Sequence, residues 1–216
     1  MAPAPVTVVP VSAPAGRLRE VLVPLLDRGG VVAVPTESSY GLAVDPRSPE
    51  GIARVFRLKG RETAKALPLV AADLDQVLDA IDPDAPEAVR LRRLAPRIWP
   101  GPVSLVLPAA PALPAAAPDG TVAVRIPADA GLRRLLAELG RPLTASSANR
   151  AGEPPILDPE GAVALLAPLA DGAGAVVDGG RLPGGPPSTL VRIHGREVEV
   201  LREGAVGAGE VRRLLA

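Results

Sequence analysis

The sequence predicts one α/β domain built around a mixed sheet. Segments with strand and helix patterns alternate along the chain, which is the arrangement of α/β folds. A chain of 216 residues has the size of one large α/β domain, and its 47% apolar residues suffice for a sizeable core. Only 1% of the residues are aromatic, so this core must consist mainly of Val, Leu and Ala. We therefore expect a single domain over residues 1–216, with its core at about 16–204.

The first half of the chain predicts three strands and four helices. Apolar runs at 6–9, 31–34 and 67–72 predict the strands, and 31–34 is typical of a strand buried on both faces. Helical spacing covers 16–27, where Pro24 predicts a kink or an early end. Ser48 and Pro49 are typical of an N-cap and first position, and open a helix to about residue 58. Asp73 and Pro86 likewise begin helices to about 81 and 94.

The second half continues the alternation. Strands are predicted at 103–107, 122–126 and 175–177, and residues 142–149 predict a short strand that runs into a hydroxyl-rich turn. Helices are predicted at 130–139, from Asp158 to about 166, and at 210–215. Two Pro-rich segments, 108–120 and 181–187, are typical of surface loops. Residues 188–193 and 197–201 predict a hairpin that turns at His194 and Gly195.

Composition excludes several classes of protein. The chain has no cysteine, which excludes disulfides, zinc fingers and thiol nucleophiles. The N-terminus does not have the pattern of a signal peptide, and no apolar run approaches the length of a membrane span. The formal net charge is zero, so no global field draws the chain to a polyanion. A cytoplasmic protein without a membrane association is the expectation.

A basic window is the first candidate site. Lys59 and Lys65 are the only lysines among 24 basic residues, and Arg54, Arg57 and Arg61 stand in the same window. One interpretation is a solvated helix end, where cations complement the helix dipole. The other is a phosphate site, where lysine supplies a point charge and arginine a bidentate fork. The residues alone leave both open.

Two hydroxyl-rich segments are the other candidates. They are 144–149 (TASSAN) and 35–41 (PTESSYG), and each follows a predicted strand. Such residues often cap helices or form turns by bonding to nearby backbone. They would also suit a ligand site at the carboxyl edge of a sheet.

Other catalytic chemistries lack the residues they need. His194 is the only histidine and falls in a predicted turn, so a Ser-His-Asp triad has little support. The chain also lacks the Gly-x-Ser-x-Gly elbow, the Walker phosphate loop and the Gly-x-Gly-x-x-Gly fingerprint.

The motifs, taken together and in order, resemble those of the YrdC-like family, the threonylcarbamoyl-AMP synthases. Each is weak alone, but their order along most of the chain is specific. The motifs are PTESSYGL at 35–42, KGR at 59–61, KALPL at 65–69, WPGP at 99–102, VRIP at 124–127, SSAN at 146–149, STLV at 188–191 and LREG at 201–204.

The resemblance implies an open twisted mixed sheet flanked by helices, with a concave basic cavity. It also implies synthesis of L-threonylcarbamoyl-AMP from L-threonine, bicarbonate and ATP with release of pyrophosphate, a product used by the tRNA-modification machinery for threonylcarbamoyladenosine. Mg²⁺ is expected to arrive with ATP rather than in a carboxylate cage, and no metal-binding residues are predicted.

Site residues follow from the same resemblance. Lys59 and Arg61 are the expected catalytic cations. The expected nucleotide-binding residues are Lys59, Arg61, Ser146, Ser147, Asn149 and Arg202. The residues expected near threonine or its carbamate are Thr36, Tyr40, Arg125, Thr144 and Ser188.

The sequence departs from the family pattern in three places. Ser38 stands where the family usually has Thr, and Lys65 is followed by a longer spacing than the common Lys-Pro-Leu, so its role is unassigned. The C-terminal extension domain of longer members is not expected. Two alternative functions remain open: an RNA-binding module of the same fold, and a paralogue with a different carbamoyl or acyl acceptor.

Overall fold

Strands and helices alternate in the computed structural model, which describes residues 5–60, 66–169, 172–194 and 197–216. This confirms the α/β class. The helices are α1 (Arg17–Asp27), α2 (Pro49–Lys59), α3 (Leu74–Ala80), α4 (Pro86–Ile98), α5 (Ala130–Leu139), α6 (Pro159–Leu166) and α7 (Ala208–Leu215). Within these ranges, no helix is long and apolar enough to cross a membrane.

The strands are distributed over the whole chain. They are β1 (Thr7–Pro10), β2 (Val31–Pro35), β3 (Tyr40–Ala43), β4 (Leu69–Val70), β5 (Val103–Pro108), β6 (Thr121–Arg125), β7 (Leu143–Thr144), β8 (Ser146–Ser147), β9 (Gly174–Asp178), β10 (Thr189–His194) and β11 (Glu197–Arg202).

These strands form two mixed sheets, whereas the sequence predicted one. The first sheet has the order β1-β9-β2-β3-β8, and the second has the order β11-β10-β5-β6-β4-β7. The chain passes from the second sheet to the first at Ala145, because β7 pairs with β4 while β8 pairs with β3. Strand order depends on pairings between distant segments, which local patterns do not determine.

Most predicted elements are confirmed with shifted ends. Ser48 and Asp73 cap α2 and α3 by accepting the backbone N–H groups of Gly51 and Gln76. Pro24 does not end α1 early, since the helix continues to Asp27. The predicted hairpin at the C-terminal end is the antiparallel pair β10–β11, and its turn residues 195–196 lie outside the described ranges.

Two strands were not predicted, and both flank the site described below. β3 pairs antiparallel with β2 and makes a hairpin of the segment 35–41. β8 lies where the sequence predicted a turn: Ser146 and Ser147 pair antiparallel with Leu42 and Gly41 of β3. Because β8 consists of polar residues, it has no apolar pattern that would identify it as a strand.

The core lies on both faces of β2, as predicted. Val31 and Ala33 belong to the larger cluster of buried apolar residues, whereas Val32 and Val34 face a second cluster with α1 and α5. Successive residues of a strand point to opposite faces, so this division requires a layer of packing on each side.

The cap of α2 should contribute measurably to stability because this helix carries Lys59 at its end. Ser48 Oγ accepts the N–H of Gly51 at 3.1 Å. Ser48→Ala is expected to lower the free energy of unfolding by about 1 kcal/mol, measured by urea denaturation. Ser12→Ala, at an exposed turn position, is the control and should change it by less than about 0.5 kcal/mol. Equal effects of the two substitutions would contradict the capping role.

Candidate active site

A cavity of about 650 Å³ lies between the two sheets. One wall comes from the β2–β3 hairpin and β8, and the other from the faces of β5, β6 and β10. Lys59, at the end of α2, also lines it. Two of the candidate segments of the sequence, the hydroxyl-rich ones, thus face the same space from the first sheet.

Lys59 is buried, with 2% of its surface exposed. Its Nζ donates to the backbone oxygen of Ser147 at 2.5 Å and to Asn149 Oδ1 at 2.9 Å, and lies 3.4 Å from the backbone oxygen of Asn149. Gly60 ends α2 with a φ of 61°, a conformation that glycine adopts without steric cost. At Lys59, therefore, the basic window is not a solvated face.

Asn149 supports this lysine rather than lining the cavity. Its Oδ1 also accepts the hydroxyl of Ser147 at 2.7 Å, and its Nδ2 donates to the backbone oxygen of Glu153 at 2.6 Å. Asn149 is buried and is not among the residues that line the cavity. The amide thus has partners on both sides, and its predicted role in nucleotide binding stays a prediction.

Ser146 and Ser147 line the cavity from β8. Their pairing with β3 places them beside Gly41 and Leu42, next to the hairpin. Two further cations of the basic window, Arg61 and Lys65, lie outside the described residues.

Arg125 lines the opposite wall at the end of β6. Its two terminal nitrogens donate to the two carboxylate oxygens of Glu37, at 2.8 and 2.9 Å. Glu37 Oε1 also accepts the backbone N–H of Ala128 at 2.7 Å. The bidentate pair connects the hairpin of the first sheet to a strand of the second.

The charge state of Glu37 follows from this pairing. Burial alone raises the pKa of its carboxyl, but the hydrogen bonds and charge of Arg125, with the N–H of Ala128, outweigh burial and hold the pKa below its usual value. Glu37 is therefore ionised at neutral pH.

Thr36 and Tyr40 line the cavity, yet their hydroxyl groups also hold the hairpin and a neighbouring loop. Thr36 Oγ1 donates to the backbone oxygen of Ser39 at 2.7 Å. The buried Tyr40 donates from its hydroxyl to Gly180 O at 2.9 Å and accepts the N–H of Gly179 at 3.1 Å. Burial raises the pKa of the Tyr40 hydroxyl, so it stays neutral at physiological pH.

Thr144 lies outside the cavity wall. It was expected near threonine, but its fully buried side chain accepts the backbone N–H of Val44 at 3.0 Å, and it does not line the cavity. Its own N–H donates to Val44 O. Thr144 therefore joins the two sheets where the chain crosses between them.

The second sheet adds residues from β5, β10 and β11 and from the position just before β10. Ser188 lines the site, and its hydroxyl lies 2.9 Å from that of the buried Ser104. Arg202 lines it too and donates to the backbone oxygen of Ser188 at 2.8 Å. Arg192 lies farther along β10 and makes a 3.6 Å ion pair with Asp119.

Sequence reasoning missed Glu37, Ser104 and Arg192. Glu37 stands inside the motif at 35–42, but its partner is 88 positions away. Ser104 and Arg192 each interrupt an apolar strand pattern, and such a polar residue can indicate a site-facing position.

The cavity walls carry charges of both signs. The cations among the described lining residues are Lys59, Arg125, Arg192 and Arg202, and the carboxylate is that of Asp119. Because Glu37 and Asp119 neutralise two of these arginines, the predicted basic character of the cavity stays a prediction. In the described ranges, no group of three or more His, Cys, Asp or Glu residues is placed to hold a metal ion.

Comparison with known proteins identifies the family. The Sua5/YciO/YrdC family model, described as "Telomere recombination", matches residues 24–204. The chain belongs to this family. The match confirms the resemblance found in the sequence motifs.

Two relatives of this Sua5/YciO/YrdC chain are named threonylcarbamoyl-AMP synthase. The one from Xanthomonas euvesicatoria is 42% identical over 162 residues, which cover 71% of this chain and 81% of the relative. The one from Thiobacillus denitrificans is 41% identical over 135 residues, which cover 60% of this chain and 69% of the relative.

A solved structure shares the fold. The crystal structure of P. abyssi Sua5 complexed with L-threonine matches with a TM-score of 0.81 and 27% identity, over 98% of this chain. This chain spans 61% of the length of that Sua5 chain.

The position of Thr144 leads to a stability prediction. In Thr144→Val the shape is kept, but the buried N–H of Val44 loses its acceptor, so the free energy of unfolding should fall by about 1–3 kcal/mol in urea denaturation. Thr7→Val, on the exposed side of β1, is the matched control and should have a much smaller effect. If Thr144→Val has the same free energy of unfolding as the wild type, the bridging role is contradicted.

The Glu37–Arg125 pair leads to a pH-dependent prediction. Because the folded pKa of Glu37 lies below its ordinary value of 4.5, the pair stabilises the fold above that pH and loses its effect as pH falls through the folded pKa. Wild type should therefore exceed Glu37→Gln in free energy of unfolding at pH 7, and the difference should shrink in acid. Denaturation at several pH values measures this, and a constant difference from pH 7 to pH 3 would count against it.

Proposed function

We propose that this protein synthesises L-threonylcarbamoyl-AMP from L-threonine, bicarbonate and ATP, and releases pyrophosphate. Its family membership and its 41–42% identity to proteins named threonylcarbamoyl-AMP synthase support the proposal. The related P. abyssi Sua5 has been solved with L-threonine, which supports threonine as the amino-acid substrate.

One observation carries the proposal: cationic and hydroxyl groups from both sheets face a single cavity of about 650 Å³. Lys59, Ser146 and Ser147 lie on one side, and Arg125 and Ser188 on the other. Drug-sized ligands occupy cavities of about 300–1,000 Å³, so the volume suits a nucleotide and a small amino acid.

The reaction requires positioning and charge stabilisation rather than a protein nucleophile. The amine of threonine and bicarbonate form a carbamate with loss of water. A carbamate oxygen then attacks the α-phosphorus of ATP, and the bond to the leaving pyrophosphate breaks. Two anions must meet, so fixed cations and directed hydrogen bonds can supply the catalysis. The absence of cysteine from the chain is therefore no obstacle.

The nucleotide is assigned to the side of Lys59. We place its phosphates against Lys59, Arg61, Ser146 and Ser147, and Arg202 faces the nucleotide from the opposite wall, at the end of β11. Lys59 is already oriented by Ser147 and Asn149, so little reorganisation would be needed when charge develops. Asn149 acts in this scheme by holding the lysine. Mg²⁺ accompanies ATP as part of the substrate.

Threonine and its carbamate are assigned to the opposite side. Arg125 offers a guanidinium to an anionic oxygen, and Ser188, with Thr36, offers hydroxyl groups. Tyr40 shapes this end by holding the loop at Gly179 and Gly180. The product would pass to the machinery that forms threonylcarbamoyladenosine in tRNA.

A direct assay tests the proposed reaction. The pure protein is incubated with MgATP, radiolabelled bicarbonate and threonine, and an acid-labile labelled adenylate is expected together with pyrophosphate. Pyrophosphate release with serine or another amino acid, but not with threonine, would indicate a different acceptor. Salt-dependent RNA binding without any ATP chemistry would instead favour the RNA-binding alternative.

Lys59 and Arg61 lead to a kinetic prediction. Lys59→Ala or Arg61→Ala should lower threonine- and bicarbonate-dependent pyrophosphate release at least about a hundredfold, the scale lost with one preorganised donor. Lys59→Met removes the charge but keeps most of the aliphatic stem, and it should show a similar loss with a folded circular-dichroism spectrum.

Arg57→Ala is the matched control for this prediction. Arg57 is an exposed cation on the same helix and does not line the cavity, so the variant should keep turnover within about threefold. Near-wild-type turnover in both the Lys59 and the Arg61 variants would refute their assigned roles.

A further inference from the structure

Glu37 contacts Arg125 but is not among the residues that line the cavity. Arg125 lines the cavity with 12% of its side chain exposed, and Glu37 is 28% exposed. The carboxylate therefore contacts the guanidinium without itself forming part of the cavity wall. This arrangement does not favour a direct contact between Glu37 and the substrate.

Three N–H groups fix the carboxylate of Glu37. Two belong to Arg125, at 2.8 and 2.9 Å, and the third is the backbone N–H of Ala128 at 2.7 Å. A bidentate pair fixes the plane of the guanidinium as well as its distance. Ala128 lies shortly after the end of β6, separated from Arg125 by Ile126 and Pro127. The bond to Ala128 therefore also holds the Glu37 carboxylate against the segment that follows the strand of Arg125.

Glu37 uses only part of the hydrogen-bonding capacity of Arg125. A guanidinium carries five N–H donors, of which the bidentate contact occupies one on each terminal nitrogen. The other donors remain on the edges of the group. A ligand carboxylate can thus bind Arg125 without displacing Glu37.

We propose that Glu37 is a positioning residue that sets the orientation of Arg125 for binding the carboxylate of the amino-acid substrate. This inference rests on the proposed function. It differs from a purely structural role, in which the ion pair only links the hairpin of the first sheet to the second.

Kinetics of Glu37→Gln test the inference. Glutamine keeps the shape but replaces one acceptor oxygen with an amide that cannot accept from Arg125, so the guanidinium loses one contact and its charged partner. The KM for threonine should rise about tenfold, the scale of a lost charged hydrogen bond, while kcat changes less than about threefold. The threonine Kd from calorimetry should rise in parallel. Glu37→Asp, which keeps the charge, should give a smaller rise.

A matched control separates this effect from the loss of any ion pair. Glu50 pairs with Arg54 at 2.7 Å on the surface of α2, away from the cavity. Glu50→Gln makes the same chemical change and should leave the KM for threonine within about twofold of wild type. Thermal denaturation of each variant checks that the proteins compared are folded.

The double variant gives the sharper test. If Glu37 acts through Arg125, then Glu37→Gln adds nothing once Arg125→Gln is present, and both proteins have the same threonine KM and Kd. Additive losses, or a wild-type KM in Glu37→Gln, would overturn the inference.

The same measurements separate the inference from the proposed function. If the wild-type protein turns over threonine and Glu37→Gln has the same KM and Kd for threonine, only the inference is refuted. Wild-type protein that neither binds nor turns over threonine refutes the proposed function and the inference together.

Discussion

The buried ammonium group of Lys59 constrains the whole candidate site. A buried charge is costly unless it is hydrogen-bonded. Here the backbone oxygen of Ser147 and the side-chain oxygen of Asn149 accept hydrogen bonds from the ammonium group. The backbone reinforces the contact, because Ala151 donates its N–H to the backbone oxygen of Lys59 at 2.9 Å. The end of α2 is thus fixed against β8, and β8 in turn pairs with β3. Satisfying one ammonium places a helix end, a strand and a hairpin around one cavity.

The division into two sheets explains why the site lies between walls rather than at one sheet edge. At Ala145 the chain leaves the second sheet and enters the first, and Thr144 bonds to Val44 at this crossing. On the other side of the cavity, Glu37 and Arg125 join the hairpin to β6. Two polar contacts therefore connect the walls of the cavity. They fix the distance between the side chains of the first sheet and those of the second.

Much of the fold could be predicted from the sequence because its signals are local. Ser48 and Asp73 identify helix starts because their own side chains cap the helices. The continuous apolar run at 31–34 indicates directly that this strand is buried on both faces. The pairing of Ser146 and Ser147 with β3 has no such local signal. The sequence also could not distinguish Thr144, which is buried, from Ser146, which faces the cavity, because that difference depends on which sheet each residue joins.

For the anionic substrates proposed above, local geometry rather than the net charge of the chain must supply the attraction. The chain has a formal net charge of zero, and carboxylates already pair with two of the lining arginines. Long-range steering is therefore weak, and it falls further with salt. A fixed guanidinium and a fixed ammonium still offer strong, directed hydrogen bonds, since no binding energy is spent on orienting them. Glu37 and Asn149 fix the orientation of Arg125 and Lys59 through these hydrogen bonds.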